Sequence, residues 1–281
     1  MTNTGIEEAL RAIGEGTDEA IDLAEAALLC AAHERRDLDL APSRYHLQMI
    51  AGEMKRAAAL DALQPTDEKL DACCDALRYV MAEKFGYRGD EESYDDLRNA
   101  DLVAVIQRRR GLPVALSILY MHAARTLGWR VEGLNFPGHF VIRLYGDRQA
   151  AILDPFAGGI ARSIQDLRHL LKAQSTEKTE LKPEHFAALD NRQVLMRLQN
   201  NIKVRRIQEG DLKGAERALQ RMLLIAPGHA ELWRESGILN ARLENLLAAR
   251  RALTRYLELA ENDQQRQRAA RLLQELGQQL H

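Results

Sequence analysis

An α+β fold is predicted by three features of this 281-residue sequence. Apolar residues recur at helical spacing through most of the first hundred positions, and the pattern changes to alternation just after Gly128. Two similar helical segments then lie 34 residues apart near the carboxyl end. We therefore expect a helical amino-terminal segment, a core with a small antiparallel sheet, and a carboxyl-terminal series of helices.

The composition excludes several classes of protein. With 46% hydrophobic and 28% charged residues, the chain has enough apolar sequence for one large or two small folded domains. Its longest apolar runs, such as residues 26–32, are too short to cross a bilayer, and residues 1–14 lack a signal-peptide pattern. The three cysteines, Cys30, Cys73 and Cys74, suggest neither a disulfide framework nor a zinc site. We expect a cytoplasmic protein with no membrane segment.

Charge is distributed unevenly along the chain. Residues 192–281 carry a net charge of +6, whereas residues 1–191 carry −8, which indicates two different modules. A basic excess of this size is typical of a solvated helical surface. It lacks the interleaved aromatic residues of a single-strand binder, so direct nucleic-acid binding is not predicted.

The helical part begins with residues 18–33, which follow a Thr17/Asp18 cap. A second helix is predicted over residues 42–62 and a third from Thr66, whereas residues 85–96 predict a loop. Another helix opens at Pro113, because proline in a first helical turn loses no hydrogen bond, and it is expected to end at Gly128. The three arginines that precede it, residues 108–110, either remain solvated or pair with the acidic residues in 90–96.

Alternation after Gly128 predicts three strands, over residues 129–134, 138–145 and 150–156. If Gly146 and Asp147 alone form the hairpin loop, His139 lies directly opposite Asp154. A longer loop over residues 146–149 makes them diagonal neighbours on the same face. Either register places an imidazole beside a carboxylate, an arrangement that orients a catalytic histidine or serves as a plain structural pair.

The carboxyl-terminal segment contains an internal repeat. Residues 215–227 and 249–261 share seven identities in thirteen positions, at the 34-residue period of the tetratricopeptide helix pair. The second unit has Gly237 where two helices cross, whereas the first has Lys203 at that position and is therefore degenerate. Residues 264–280 are expected to form a capping helix, and we expect the repeats to pack onto the first domain.

These residues together resemble a known family. The resemblance is carried by Arg108-Arg109-Arg110-Gly111-Leu112-Pro113, Leu116-Ser117-Ile118-Leu119-Tyr120, Phe136-Pro137-Gly138-His139-Phe140, Leu153-Asp154-Pro155-Phe156 and Gly158-Gly159. The pattern is similar to transglutaminase-like proteins of the Sir-B invasion-regulator type. Membership would imply a helical segment over residues 1–100, a transglutaminase-like, papain-like core over 101–185, and tetratricopeptide repeats over 190–281. The family's usual label suggests a bacterial-type regulator, and we expect any such regulation to be indirect.

The resemblance also implies a chemistry that this chain lacks in part. Transglutaminase-like enzymes place a nucleophilic cysteine at the start of the central helix, with His and Asp on neighbouring strands. His139 and Asp154 match the last two, but Pro113 or a neighbour takes the place of the cysteine. Ser117, one turn further on, is either a substitute nucleophile activated by His139 or a core hydroxyl bonded to the carbonyl of Pro113.

The favoured hypothesis is a non-catalytic transglutaminase-like protein, a pseudoenzyme, that binds a protein or peptide partner through its repeats. The alternative is an amide-bond hydrolase or acyl transferase that uses His139 and Asp154 with Ser117 or water. Around this pair we expect a pocket formed by Pro113, Tyr120, Asn135 and Arg143. Arg143 either binds a carboxylate there or pairs with an acid of the protein itself. No ligand spacing or cofactor motif is present, so neither a metal nor an organic cofactor is expected.

Overall fold

The structure is a computed structural model, which describes residues 3–35, 37–60, 62–174 and 180–279. Its helices are Asn3–Glu15 (α1), Leu23–Glu34 (α2), Ala41–Leu60 (α3), Leu70–Arg78 (α4), Leu102–Arg108 (α5), Pro113–Arg125 (α6), Ile164–Gln174 (α7), Asn191–Gln208 (α8), Leu212–Ile225 (α9), Ala230–Arg242 (α10), Leu246–Glu258 (α11) and Asp263–Gln279 (α12). A π-helical turn, Tyr79–Lys84, continues α4. In the described part of the chain, no helix has the length and apolar character needed to cross a membrane.

Within the described ranges, seven short strands form two sheets. They are Arg88–Gly89 (β1), Arg110–Gly111 (β2), Val131–Leu134 (β3), Ile142–Tyr145 (β4), Ala150–Asp154 (β5), Ile160–Ala161 (β6) and Ala188–Leu189 (β7). Strands β1 and β2 form a parallel pair, and the other five form an antiparallel sheet in the order β6-β5-β4-β3-β7. The predicted α+β class, with a small antiparallel sheet and a helical carboxyl end, is confirmed.

The chain divides into two compact units, which we call the core unit and the repeat unit. The core unit comprises residues 18–32 and 38–198, and the repeat unit comprises residues 1–17, 33–37 and 199–281. Helix α1 thus lies in the repeat unit, where Gly14 contacts the backbone of Leu224 closely enough that a Cβ there would lie 2.0 Å from its carbonyl oxygen. This differs from the sequence prediction, which placed all of residues 1–100 with the core. Local periodicity predicts an amphipathic helix but does not say which apolar surface it covers.

The hairpin between β4 and β5 has the longer of the two loops considered. Tyr145 pairs with Ala150, and the amide of Gly146 donates to the carbonyl of Gln149 at 2.8 Å, so residues 146–149 form the loop. The register Ile142 to Leu153 continues to place Asp154 opposite residue 141. His139 is therefore a diagonal neighbour of Asp154, and the two-residue loop with a directly opposite pair is wrong.

All three predicted strands are longer than the observed ones, and the one predicted from residue 129 begins at Val131. The strand predicted from residue 138 begins only at Ile142, because Gly138 has a left-handed backbone with φ of 69° and follows Pro137. The strand predicted over residues 150–156 ends at Asp154, where the chain turns. Among the helices, that predicted over 42–62 ends at Leu60, and Asp61 lies outside the described residues, as does Leu280 at the end of the capping helix.

The close crossing of two helices in the second repeat requires a glycine. A Cβ on Gly237 of α10 would lie 2.5 Å from the side chain of Leu253 on α11, so the two helices approach more closely than any larger residue allows. In the first repeat the corresponding Lys203 is buried and forms an ion pair with Glu235. The degenerate unit thus replaces a close helix contact with a charged pair.

We expect Gly237→Ala to destabilise the repeat unit. Alanine has a better helix propensity than glycine, which adds about 1 kcal/mol to the free energy of unfolding. Overpacking of the new methyl group against Leu253 lowers the free energy of unfolding by about 1–3 kcal/mol. The matched control is Gly277→Ala on α12, where a Cβ meets nothing within 4 Å and only the propensity gain applies. Urea unfolding of both variants separates the two effects. A Gly237→Ala protein as stable as Gly277→Ala would contradict the close crossing.

Candidate functional site

The site is built around a buried pair of side chains from the core unit. Nε2 of His139 lies 2.9 Å from Oδ1 of Asp154, and the exposed fractions of the two side chains are 7% and 1%. His139 belongs to the loop before β4, and Asp154 ends β5. The structure therefore brings together the histidine and the carboxylate that the strand pattern places on one face.

Asp154 has further partners besides His139. Its Oδ2 accepts hydrogen bonds from Nε and Nη2 of Arg162, at 3.1 and 2.9 Å, and its Oδ1 accepts from the amides of Phe156 and Ala157 at 3.1 and 3.3 Å. Burial acts to raise the pKa of this carboxyl, but the hydrogen bonds and charges of His139 and Arg162 outweigh it, so the net pKa is lowered. Asp154 is therefore held in its ionised form.

An arginine of α8 forms hydrogen bonds to the backbone of the loop that contains His139. Nη2 of Arg197 donates to the carbonyls of Phe136 and His139, at 2.6 and 2.5 Å. The second of these bonds occupies a carbonyl group that a strand over residues 138–141 would use for pairing. The arginine thus fixes the backbone position of His139 while Asp154 fixes its ring.

Aromatic rings and a glycine turn surround the pair. The ring of Phe156 meets that of His139 edge to face at 5.8 Å, and the ring of Tyr94 also meets Phe156 edge to face at the same centroid distance. Tyr120 of α6 packs against Gly159, where a Cβ would lie 2.7 Å from its ring. Burial and the negative charge of Asp154 both raise the pKa of the Tyr120 hydroxyl, which remains protonated.

Among the described residues, no serine, threonine or cysteine side chain forms a hydrogen bond with His139. Pro113 is the first residue of α6, where the resemblance implies a cysteine. Ser117 is fully buried, and its Oγ has no hydrogen-bond partner, so it contacts neither His139 nor the carbonyl of Pro113 by a hydrogen bond. In the described chain, Nδ1 of His139 likewise has no hydrogen-bond partner. The substitute-nucleophile prediction for Ser117 thus lacks its required contact, and so does the alternative bond to the helix.

The cysteines do not fill this role. Cys30 lies on α2, while Cys73 and Cys74 lie on α4, and all three are buried. Burial raises the pKa of the Cys73 thiol to about 11 and that of Cys74 to about 12. Both therefore stay protonated near neutral pH and are poor nucleophiles.

Two of the predicted pocket residues, Asn135 and Arg143, have partners other than His139 and Asp154. Asn135 is exposed, and its backbone amide donates to the carbonyl of Ala187 at 2.9 Å. Arg143 pairs with Glu132 at 3.5 Å and lies over the ring of Tyr145, so the alternative in which it pairs with an acid is the one the structure has. The carboxylate that Arg143 contacts thus comes from the neighbouring strand.

Two residues that bind the His139–Asp154 pair, Arg162 and Arg197, are not among those predicted from the sequence. Arg162 follows a strand of only two residues, too short for a periodic pattern, and Arg197 is 58 residues from His139. A clue to Arg162 was available, since a carboxylate as buried as Asp154 needs a cation besides histidine. Nothing local to Arg197 indicates its role.

The pair could accept a proton, but no nucleophile that would give one up is hydrogen-bonded to it among the described residues. An ionised Asp154 only accepts hydrogen bonds, so Nε2 of His139 donates to it, and in the neutral form of the ring the lone pair lies at Nδ1. Such a nitrogen serves as a general base or as a hydrogen-bond acceptor. Within the described residues, no group of three or more His, Cys, Asp or Glu side chains is arranged to hold a metal ion.

Comparison with known proteins agrees with both units. Residues 43–200 match the model of the transglutaminase-like superfamily, and residues 202–274 match that of the tetratricopeptide repeat. No solved structure matches the chain.

Relatives of the chain occur in bacteria and in mammals. A UPF0162 protein of Xylella fastidiosa is 29% identical over 86% of this chain and 85% of its own length. A UPF0162 protein of Pseudomonas aeruginosa is 30% identical over 70% of this chain and 72% of its own length. The human F-box only protein 21 is 37% identical over 82 residues, which are 29% of this chain and 13% of that protein.

Proposed function

The chain belongs to the transglutaminase-like superfamily and ends in tetratricopeptide repeats, and on that premise we propose that it binds a protein or peptide partner and performs no thiol chemistry. One observation carries the proposal. The helix that would present a nucleophile begins at Pro113, and Nδ1 of His139 has no hydrogen-bond partner among the described residues. Any regulatory role is then exerted through the bound partner.

The His139–Asp154 pair has a structural role in this proposal. Asp154 connects β5, the turn after it and Arg162, while His139 connects the loop before β4. Such a network stabilises the fold whether or not a reaction takes place. The retained pair is therefore compatible with a binding protein.

The repeat unit offers a surface for the partner. A cavity of about 300 Å³ lies between α8, α9 and α10, and its lining includes Lys203, Ile207, Glu235, Ile238 and Arg242. Ile207 is 42% exposed, and Arg242 is exposed as well. Apolar side chains that remain accessible beside charged ones are typical of protein interaction sites.

Binding is expected to depend on this cavity and not on His139. With the full chain as bait, His139→Ala should retain its captured partners, whereas Ile207→Asp or Arg242→Glu should reduce them by at least about tenfold. Leu247→Asp on α11 is the matched control, because Leu247 is 63% exposed and lies outside the cavity lining. Quantitative mass spectrometry of the captured proteins is the measurement. Loss in His139→Ala with retention in Ile207→Asp would contradict the proposal.

A second candidate is an amide-bond hydrolase or acyl transferase in which His139 activates water. It is favoured by the orientation of His139, whose Nε2 faces Asp154 and whose Nδ1 is unoccupied in the described chain. Ammonia release from glutamine peptides and ester hydrolysis test it directly. Turnover that disappears in His139→Ala would replace the non-catalytic half of the proposal with this one.

A further inference from the structure

Arginines are concentrated just before α6, and only one of them is neutralised there. Of the three consecutive arginines, Arg108 donates to Asp90 at 2.8 Å. Arg109 has a left-handed backbone with φ of 60° and donates to the hydroxyl of Tyr87 at 2.6 Å. Its other contacts include His46 and the carbonyl of Ile106, neither of which carries negative charge. Arg109 thus adds positive charge to this region without a carboxylate beside it.

The remaining arginine, Arg110, stands opposite another arginine. In the parallel pair of β1 and β2, Arg88 is the register partner of Arg110. Arg88 is exposed, and Arg110 is half-buried, with Nη1 donating to the carbonyl of Arg109 at 3.3 Å. Within the part of the chain that the structure describes, neither guanidinium forms an ion pair with a carboxylate.

Two like charges in this position repel each other. Neighbouring strands lie about 4.8 Å apart, and side chains of register partners leave a sheet on the same face. Like charges so placed are destabilising unless an anion lies between them. Guanidinium groups bind oxyanions through paired, charge-assisted hydrogen bonds, so two of them side by side suit a carboxylate.

The arginine pair also lies beside the site already described. Gly89, next to Arg88, packs against the ring of Phe156 so closely that a Cβ there would lie 2.6 Å from it. Phe156 in turn contacts His139. The amino terminus of α6, at Pro113, follows Arg110 by three residues and adds to the positive potential. An anion held by the pair would therefore lie at the edge of the His139 site.

We propose that Arg88 and Arg110 bind a carboxylate from an acidic segment of the partner, so that the core unit contributes a second contact besides the repeats. The inference rests on the proposed binding function and names one chemical feature of the partner. Charge complementarity is its basis: Arg88 and Arg110 are register partners on adjacent strands, and within the described residues neither forms an ion pair with a carboxylate.

The test uses the full chain and a fluorescent deca-glutamate peptide, with deca-glutamine as the neutral control. At a salt concentration of about 50 mM, where screening is limited, deca-glutamate should bind and deca-glutamine should not. Arg88→Gln and Arg110→Gln should each weaken binding by about tenfold, the size of one lost charge-assisted contact. Arg168→Gln is the matched control, because Arg168 is an exposed arginine of α7, and it should change binding less than about twofold.

Thermal unfolding without peptide supplies a second readout. Both variants should melt at or above the temperature of the unmodified chain, because each removes a repulsion and breaks no ion pair. Equal weakening in Arg168→Gln, or deca-glutamate binding that survives in Arg88→Gln and Arg110→Gln, would overturn the inference. So would stabilisation by inorganic phosphate with no binding of deca-glutamate. If repeat-dependent capture persists in that case, only this inference fails and the proposed function stands.

Discussion

Asp154→Ala is expected to destabilise the core unit by about 3–5 kcal/mol, one of the two largest effects of single substitutions that we predict. The side chain is 1% exposed, and its removal leaves the guanidinium of Arg162 and the ring of His139 without their acceptor. The backbone amides of Phe156 and Ala157 also lose their acceptor, Oδ1 of Asp154. Unfolding in urea, followed by tryptophan fluorescence, measures the loss.

The two tryptophans allow each unit to be followed separately. Trp129 lies in the core unit and Trp233 in the repeat unit, so a Trp233→Phe background reports the core alone. Asp147→Ala is the control, because Asp147 is an exposed carboxylate in the hairpin loop and should cost little. Asp154→Asn keeps the shape and one acceptor, so it should cost about 1–3 kcal/mol. A loss below about 1 kcal/mol for Asp154→Ala would contradict the structural role.

The stability that Asp154 provides should depend on pH in a defined direction. Its pKa is lowered in the folded chain relative to the ordinary value of 3.8, so the unfolded chain binds this proton more readily. The contribution is therefore present above that ordinary value and is lost as pH falls through the folded pKa. The difference in free energy of unfolding between the unmodified chain and Asp154→Ala should be constant near neutral pH and shrink below about pH 4. A gap that widened on acidification would contradict an ionised Asp154.

Local sequence signals predicted the elements and the central pair, but not what surrounds them. Helix α6 was predicted from a proline and a glycine at its ends, because such residues act within one turn. The pairing of His139 and Asp154 followed from alternation, which survives a change of loop length by an even number of residues. The first prediction depends on residues close in sequence, and the second depends on the rule that alternate residues of a strand share one face of the sheet.

The predictions that were wrong depended on distant parts of the chain. The strand predicted from residue 138 starts later because Arg197, far along the sequence, binds the carbonyls on either side of Gly138. Helix α1 was placed with the core because an amphipathic pattern shows an apolar face but not its partner. Both errors concern contacts between residues that are far apart in the sequence.

Glu34→Ala should have the second large effect, in the repeat unit. Oε2 of Glu34 lies 2.6 Å from Nη1 of Arg221, whose side chain is 1% exposed. Burial acts to raise the pKa of Glu34, but the charges and hydrogen bonds of Arg221 and Arg217 lower it, so the carboxylate is ionised. Its removal leaves a buried cation with only the amide oxygen of Gln199 as a partner, at 2.7 Å. We expect a loss of about 3–5 kcal/mol.

The measurement is urea unfolding followed by Trp233 in a Trp129→Phe background, which reports the repeat unit. Glu209→Ala, an exposed carboxylate of the same unit, is the control and should have little effect. The loss should come mainly from the unpaired guanidinium of Arg221. Replacing the buried part of this network with apolar residues, by Glu34→Leu, Arg221→Met and Gln199→Met together, should therefore cost less than Glu34→Ala alone. The other two arginines that pair with Glu34, Arg206 and Arg217, are 23% and 45% exposed and remain accessible to water. If the triple variant is the less stable of the two, the ion pair itself stabilises the repeat unit, and the loss in Glu34→Ala does not arise from an unpaired arginine.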